Sequence, residues 1–175
     1  MSAITVISGT NRPDSYTEII AKFCENTLQK EGTKVNYLSL QKIPETIAFT
    51  EMFGNRTPAF NQLINEYLEG TTKFLIVVPE YNGSFPGLLK TFLDAVHPKI
   101  WNYKKAGLIG VADGRAGNLR GIEQLTLILN YLKINVYHDK LPISSVTKLV
   151  DENKKLIDVD TIKVLTNYLK SFKEF

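Results

Sequence analysis

Residues 74–96 read FLIVVPEYNGSFPGLLKTFLDAV, and the order of residue types in that stretch decides the fold. Phe74 to Val78 is an unbroken aliphatic and aromatic run without polar alternation, the pattern of a strand covered on both faces. Leu88, Leu89, Phe92, Leu93 and Val96 then follow the i, i+3, i+4 spacing of an amphipathic helix. Between them Pro79 to Gly87 carries Pro, Gly and Asn, the residues of a tight turn. A buried strand that runs into a helix is half of a parallel βαβ crossover.

Outward from this stretch the alternation continues. Ile4 to Ile7, Val35 to Leu40 and Gly107 to Val111 are further short aliphatic runs, and a fifth strand is expected around Val136. Helical spacing recurs in Tyr16, Ile19, Ile20, Phe23 and Leu28, in Leu63, Ile64, Tyr67 and Leu68, in Ile122, Leu125, Ile128, Leu129 and Leu132, and in Ile162, Leu165, Leu169 and Phe172. The series predicts one α/β domain over residues 1–175, a three-layer sandwich around a five-stranded parallel sheet of order 2-1-3-4-5. Ligands of such sheets bind outside the carboxyl ends of the strands, beside the switch between strands one and three. Three loops therefore matter most, beginning near Ser8, Pro79 and Ala112. The stretch from Gln41 to Pro58 is irregular and is expected to form a loop over a site.

Composition narrows the classes. Twenty-one Lys plus Arg against eighteen Asp plus Glu leave a charge of +3, too little for the basic stripe of a nucleic-acid binder. The longest apolar run is about a quarter of the ~20 residues that span a membrane. One cysteine, Cys24, allows no internal disulfide, and the start of the chain lacks the charged and apolar regions of a signal peptide. These point to the cytoplasm, with neither nucleic acid nor membrane as partner. Cys24 falls on the apolar face of the first helix and reads as core. His97 and His138 are the only histidines, too little material for a metal centre or a histidine triad. Trp101 is expected at the sheet edge, and Lys104, Lys105, Lys154 and Lys155 as solvated charges.

The first loop, Ser8-Gly9-Thr10-Asn11-Arg12-Pro13-Asp14-Ser15, is neither G-x-G-x-x-G nor G-x-x-x-x-G-K-[ST]. It offers hydroxyls at Thr10, Ser15 and Thr17, a fixed charge at Arg12 and the free N–H groups of a helix start, a set suited to a monophosphate dianion. The same residues also read as a capping box, with Ser15 capping the helix and Glu18 returning the bond; one serine can do both. A thiolate phosphatase would need its cysteine in this loop, and a receiver domain an acidic cluster for Mg²⁺. Neither is present in it.

The run PEYNGSFPGLLKTFLD from Pro79 to Asp94 resembles the signature of the NAD(P)H-dependent FMN reductase family, flavodoxin-like enzymes that hold FMN at the carboxyl edge of the sheet. Gly9, Thr10, Arg12 and Ser15 are similar to that family's G-[ST]-x-R-x-x-S phosphate loop, and Gly114 to Arg120 to its Gly- and Arg-rich loop beside the flavin's pyrimidine edge. Asp113 stands where many members have Ser or Gly, and Asn118 where a second Gly is common. The resemblance implies a flavodoxin-like fold with the FMN phosphate on Thr10, Arg12, Ser15, Tyr16 and Thr17. The ring would lie against Pro79, Glu80, Tyr81, Asn82 and Gly83 and against Ala112, Asp113 and Gly114. Such a ring wants flat contacts, backbone donors and little charge; Gly83 and Gly114 are expected at positive φ or close approach, and Asp113 is expected to turn away or to accept the ring's N3–H. The implied activity is hydride transfer from NADPH or NADH through FMN to a small acceptor, a flavin, quinone, azo compound or metal ion. Turnover would be ping-pong, and no side chain is needed as acid or base. The alternative is a flavodoxin-like electron carrier or a flavin-sensing protein without NAD(P)H turnover. Carriers of that type are usually strongly acidic, which this chain is not.

Leu125, Leu127, Ile128, Leu129, Tyr131 and Leu132 point in more directions than one buried stripe accommodates. A homodimer, or a dimer of dimers, through this helix and the one at 88–96 is therefore expected.

Overall fold

The computed structural model describes residues 3–175. Its strands are β1 (Ala3–Ser8), β2 (Val35–Ser39), β3 (Thr71–Pro79), β4 (Lys105–Val111), β5 (Asn135–Val136) and β6 (Leu141–Ile143). All their pairings are parallel, in the order β2-β1-β3-β4-β5. The helices are α1 (Tyr16–Lys30), α2 (Ile47–Thr50), α3 (Pro58–Ile64), α4 (Gly87–Ala95), α5 (Pro98–Trp101), α6 (Leu119–Tyr131) and α7 (Val159–Glu174). The expected strand order and layering are therefore those found.

β3 shows why its sequence lacks alternation. Phe74, Ile76 and Val78 point into a core shared with α3, α4, α5 and α6, while Leu75 and Val77 point into a second core with α1 and α7. Both faces are dry, so both are apolar. α1 begins at Ser15, whose side chain accepts from the Glu18 N–H, and buries Thr17, Ile20, Ala21, Cys24 and Leu28 on one stripe. α7 is capped in the same way by Asp158 and buries Leu165, Tyr168, Leu169 and Phe172.

Three local expectations change. The fifth position of the sheet is filled by two short strands, β5 on the amino half of β4 and β6 on its carboxyl half. Between them Tyr137 turns inward against Tyr168, Phe172 and Phe175, which interrupts the ladder. Trp101 is wholly buried rather than at an edge; it meets Phe74 and Phe92 edge-on, and its indole N–H donates to the Leu93 carbonyl. The irregular stretch after β2 is a chain of short turns, 40–42, α2 and 52–54. It is held by the buried Glu51 carboxylate, which accepts from the Thr57 N–H at 2.7 Å and from the Thr57 hydroxyl at 3.0 Å.

Candidate functional site

At the carboxyl ends of β1, β3 and β4 the chain leaves a cleft of about 480 Å³, within the range of small-molecule sites. Arg12, Ser15, Tyr16, Thr17, Pro79, Glu80, Tyr81, Ala112 and Asp113 line it. Thr10, Asn82, Gly83 and Gly114 lie outside its lining. Pro13, Asp14, Val111, Val146 and Thr147 line it without having been singled out from the sequence. Val146 and Thr147 follow β6, so their place was open to inference only through the rule that loops gather at the carboxyl ends of the sheet.

One end of the cleft is the start of α1. Its first N–H groups have no intrahelical acceptor, as at any helix start. The capping box forms only in half: Ser15 Oγ takes the Glu18 N–H at 3.2 Å, but the Glu18 carboxylate does not return to the helix start. It accepts instead from the Gln41 amide at 2.8 Å and the Tyr37 hydroxyl at 3.3 Å. Burial and the nearby Glu18 charge push the Tyr37 phenol up from its ordinary pKa, so it remains a neutral donor. The helix start thus faces the cleft beside the exposed Arg12, and the Glu18 carboxylate does not cover it.

Thr10 works beneath this loop. It is buried, its Oγ1 accepts from the Arg12 N–H at 3.1 Å, and it shares a 2.8 Å hydrogen bond with the Tyr81 hydroxyl. The first loop is thereby tied to the second. Asp14, at φ 55, turns outward to Lys154, 2.7 Å away; that ammonium holds the Asp14 carboxyl below its ordinary pKa. Lys154 is thus an ion-pair partner of the first loop.

The other end of the cleft is formed by the loops after β3 and β4, where Pro79, Tyr81, Val111 and Ala112 stand beside Glu80 and Asp113. After β3, Tyr81 and Ser84 exchange backbone hydrogen bonds at 2.9 and 3.1 Å around Asn82 and Gly83. Both central residues have positive φ, 52° and 77°, which is the Asn-Gly form of a tight type I′ turn. Gly114 has no such need, since its φ is not positive and a Cβ there would meet nothing within 4 Å. Asp113 accepts from the Thr147 hydroxyl at 2.5 Å, and Val146 donates its N–H to the Ala112 carbonyl. The turn after β6 therefore braces the loop after β4.

The lysines at the opposite end of the sheet serve the fold. Lys104 Nζ donates to the carbonyls of Leu68 and Glu69, and Lys105 Nζ to that of Phe175; burial holds the Lys104 ammonium below its usual pKa. They are bound rather than solvated. His97 caps α5 by accepting the Lys99 N–H, and His138 lies against the Tyr137 ring. Cys24 is buried, and desolvation pushes its thiol up from the usual value. Among the described residues, no helix is long and apolar enough to cross a membrane.

Comparison with known proteins adds a lineage to this geometry. The sequence profile of the family described as NADPH-dependent FMN reductase matches residues 2–148. A 2-hydroxy-1,4-benzoquinone reductase of a Burkholderia species is 25% identical over 174 residues, covering 97% of this chain and 93% of that protein. Among solved structures, the apo form of an NADH:FMN oxidoreductase superposes with a TM-score of 0.80 at 15% identity, over 99% of this chain and 89% of the other. A flavodoxin from the domain Archaea gives 0.68 at 14% identity, over 99% and 97%. At such identities the likeness is one of fold, and the fold is flavodoxin-like.

Proposed function

The chain belongs to the NADPH-dependent FMN reductase family, oxidoreductases of the FMN reductase and quinone reductase type, and from that membership we propose that it carries a hydride from NADPH or NADH through bound FMN to a small acceptor. Flavins, quinones, azo compounds and metal ions are the acceptor classes proposed, and the quinone is favoured by the activity in the name of the Burkholderia relative. FMN supplies, when bound, a ring that takes up a hydride and gives its electrons on.

One observation supports the reading: a single cleft has a helix start with a guanidinium at one end and the loops after β3 and β4 at the other. Arg12, Ser15, Tyr16 and Thr17 provide a guanidinium, three hydroxyls beside a helix start and its free N–H groups, a donor set that fits one phosphate. Thr10 supports them from below through Tyr81. Pro79, Tyr81, Val111 and Ala112 offer flat or apolar contacts, with Asn82, Gly83 and Gly114 in the adjoining turns. Asp113 is engaged by Thr147, which keeps that carboxylate oriented. The chain's residues bind, orient and exclude water; none is required to move a proton in the transfer. Donor and acceptor use the cleft in turn, which gives ping-pong kinetics.

Titration with FMN, FAD and riboflavin tests the cofactor. FMN should bind most tightly, riboflavin much more weakly for lack of the phosphate; equal binding of riboflavin, or preference for FAD, overturns the assignment. Steady-state oxidation of NADPH with a quinone should then give parallel double-reciprocal lines. No oxidation by the FMN-loaded protein would make the chain a carrier.

We also infer that two copies pair through the outer face of α6. Leu127 is 72% exposed and Tyr131, one turn on, 88%, while Leu125 and Leu129 on the inner face are buried. A monomer by light scattering at micromolar concentration overturns this.

A further inference from the structure

Asn118 stands at the start of α6 with φ 66°, a left-handed conformation that side chains other than glycine adopt at a cost. It is 1% exposed and does not cap its helix. Its Nδ2 donates instead to the last two carbonyls of β3, Val78 at 3.0 Å and Pro79 at 2.9 Å. Its Oδ1 is buried without a partner. Glycine would relieve both the backbone strain and the orphaned oxygen, so what the asparagine adds is the pair of bonds to β3.

The surroundings are shaped to the amide. A Cβ on Gly121 would lie 2.1 Å from Asn118 Oδ1 and 2.8 Å from the Ser84 carbonyl carbon, and one on Gly110 would lie 2.3 Å from the Gly117 carbonyl oxygen. Close packing therefore presses the start of α6 against the 81–84 turn, and Ser84 Oγ reaches Gln124 at 2.5 Å. Pro79 lines the cleft, and Glu80, also in its wall, donates its N–H to the Val111 carbonyl. The amide thus joins the two loops that form the end of the cleft opposite the start of α1.

We infer that Asn118 is a positioning residue: by holding the end of β3 through two carbonyls, its amide sets the separation and tilt of the Pro79–Tyr81 and Ala112–Gly114 walls between which the flavin ring is bound. This rests on the proposed FMN reading. Asn118 itself does not line the cleft.

Asn118→Gly keeps a residue at home in left-handed backbone and removes only the amide. The apo variant should keep its melting temperature, while amide exchange accelerates in the segment 79–84. With FMN, its dissociation constant should rise roughly three- to tenfold, the equivalent of about one net hydrogen bond, and the visible band of the bound flavin should shift. If that variant does not fold, the unaltered protein decides: its Asn118 side-chain amide resonances should exchange slowly and shift when FMN is added, and resonances that exchange freely and stay in place overturn the role. Unchanged exchange and an unchanged band in Asn118→Gly overturn the positioning role alone. If the unaltered protein binds no FMN, the functional reading falls and the role with it.

Discussion

Residues 9–17 and residues 110–121 border the same cleft by opposite means. The first segment is held by few contacts of its own: Arg12, Pro13 and Asp14 are exposed, and the loop is steadied by the Thr10 hydroxyl, the Ser15 cap and an ion pair to Lys154. The second is packed so closely that three of its glycines leave no room for a methyl group. What the first offers a ligand is charge and free donors; what the second offers is a fixed surface. Substitution of the exposed residues of the first should therefore weaken binding and spare the fold, whereas a methyl group added to the packed glycines of the second should disturb the fold first.

The largest effect that could break this contrast is at Gly110. A methyl group there meets a backbone oxygen at 2.3 Å, which no rotamer change relieves, so Gly110→Ala should destabilise the protein by about 3 kcal/mol or more in urea unfolding. A variant as stable as the original would mean that the second wall is not rigid. Next is Arg12→Ala, which should cost about 1.5–3 kcal/mol of FMN binding, roughly ten- to a hundredfold, with stability within about 0.5 kcal/mol of the unaltered protein. Loss of stability with affinity intact would invert the comparison. Thr10→Val belongs to both sides, because its hydroxyl joins the first loop to Tyr81; a loss of about 0.5–1.5 kcal/mol in stability should come with a similar loss in FMN binding.

The smallest expected effect is at the ion pair. Lys154→Gln leaves Asp14 as an uncompensated negative charge beside the proposed phosphate site, so FMN affinity should fall severalfold in dilute buffer and the deficit should shrink with added salt. Asp14→Asn in the same background should restore it. The Asp14 carboxyl has a lowered pKa in the folded protein, so any stability it contributes is complete above its unfolded pKa and is lost as pH falls through the folded one. Because the pair is exposed, acid titration of stability should reveal little from it.

Legibility in the sequence followed the same division. Strands, principal helices, sheet order and the three loops could be read because apolar period and turn residues are local signals. That Arg12, Ser15 and Thr17 line the cleft could be read from the loop's position after β1. The role of Thr10 was not, since a hydroxyl facing a ligand and one facing Tyr81 look alike in one dimension. Glu18 had the spacing of a capping box, but Gln41 and Tyr37 compete for it from β2 and the turn beyond. Lys104 and Lys105 read as solvated because nothing nearby in sequence shows the carbonyls of Leu68, Glu69 and Phe175 that they reach. The split of the fifth strand depends on where the Tyr137 ring packs, which only α7 and the end of the chain determine.

The placement of Trp101 has an optical consequence. It is the only tryptophan, fully enclosed beside Phe74 and Phe92, so indole emission from this protein has one origin and should be blue-shifted while the core is intact. Unfolding moves that emission to the red. A flavin absorbs where indole emits, so a yellow ligand held at the far edge of the sheet should dim the same lamp without moving its colour. Loss of ligand and loss of fold, the two outcomes that separate one wall of the cleft from the other, can thus be told apart in a single unlabelled fluorescence spectrum.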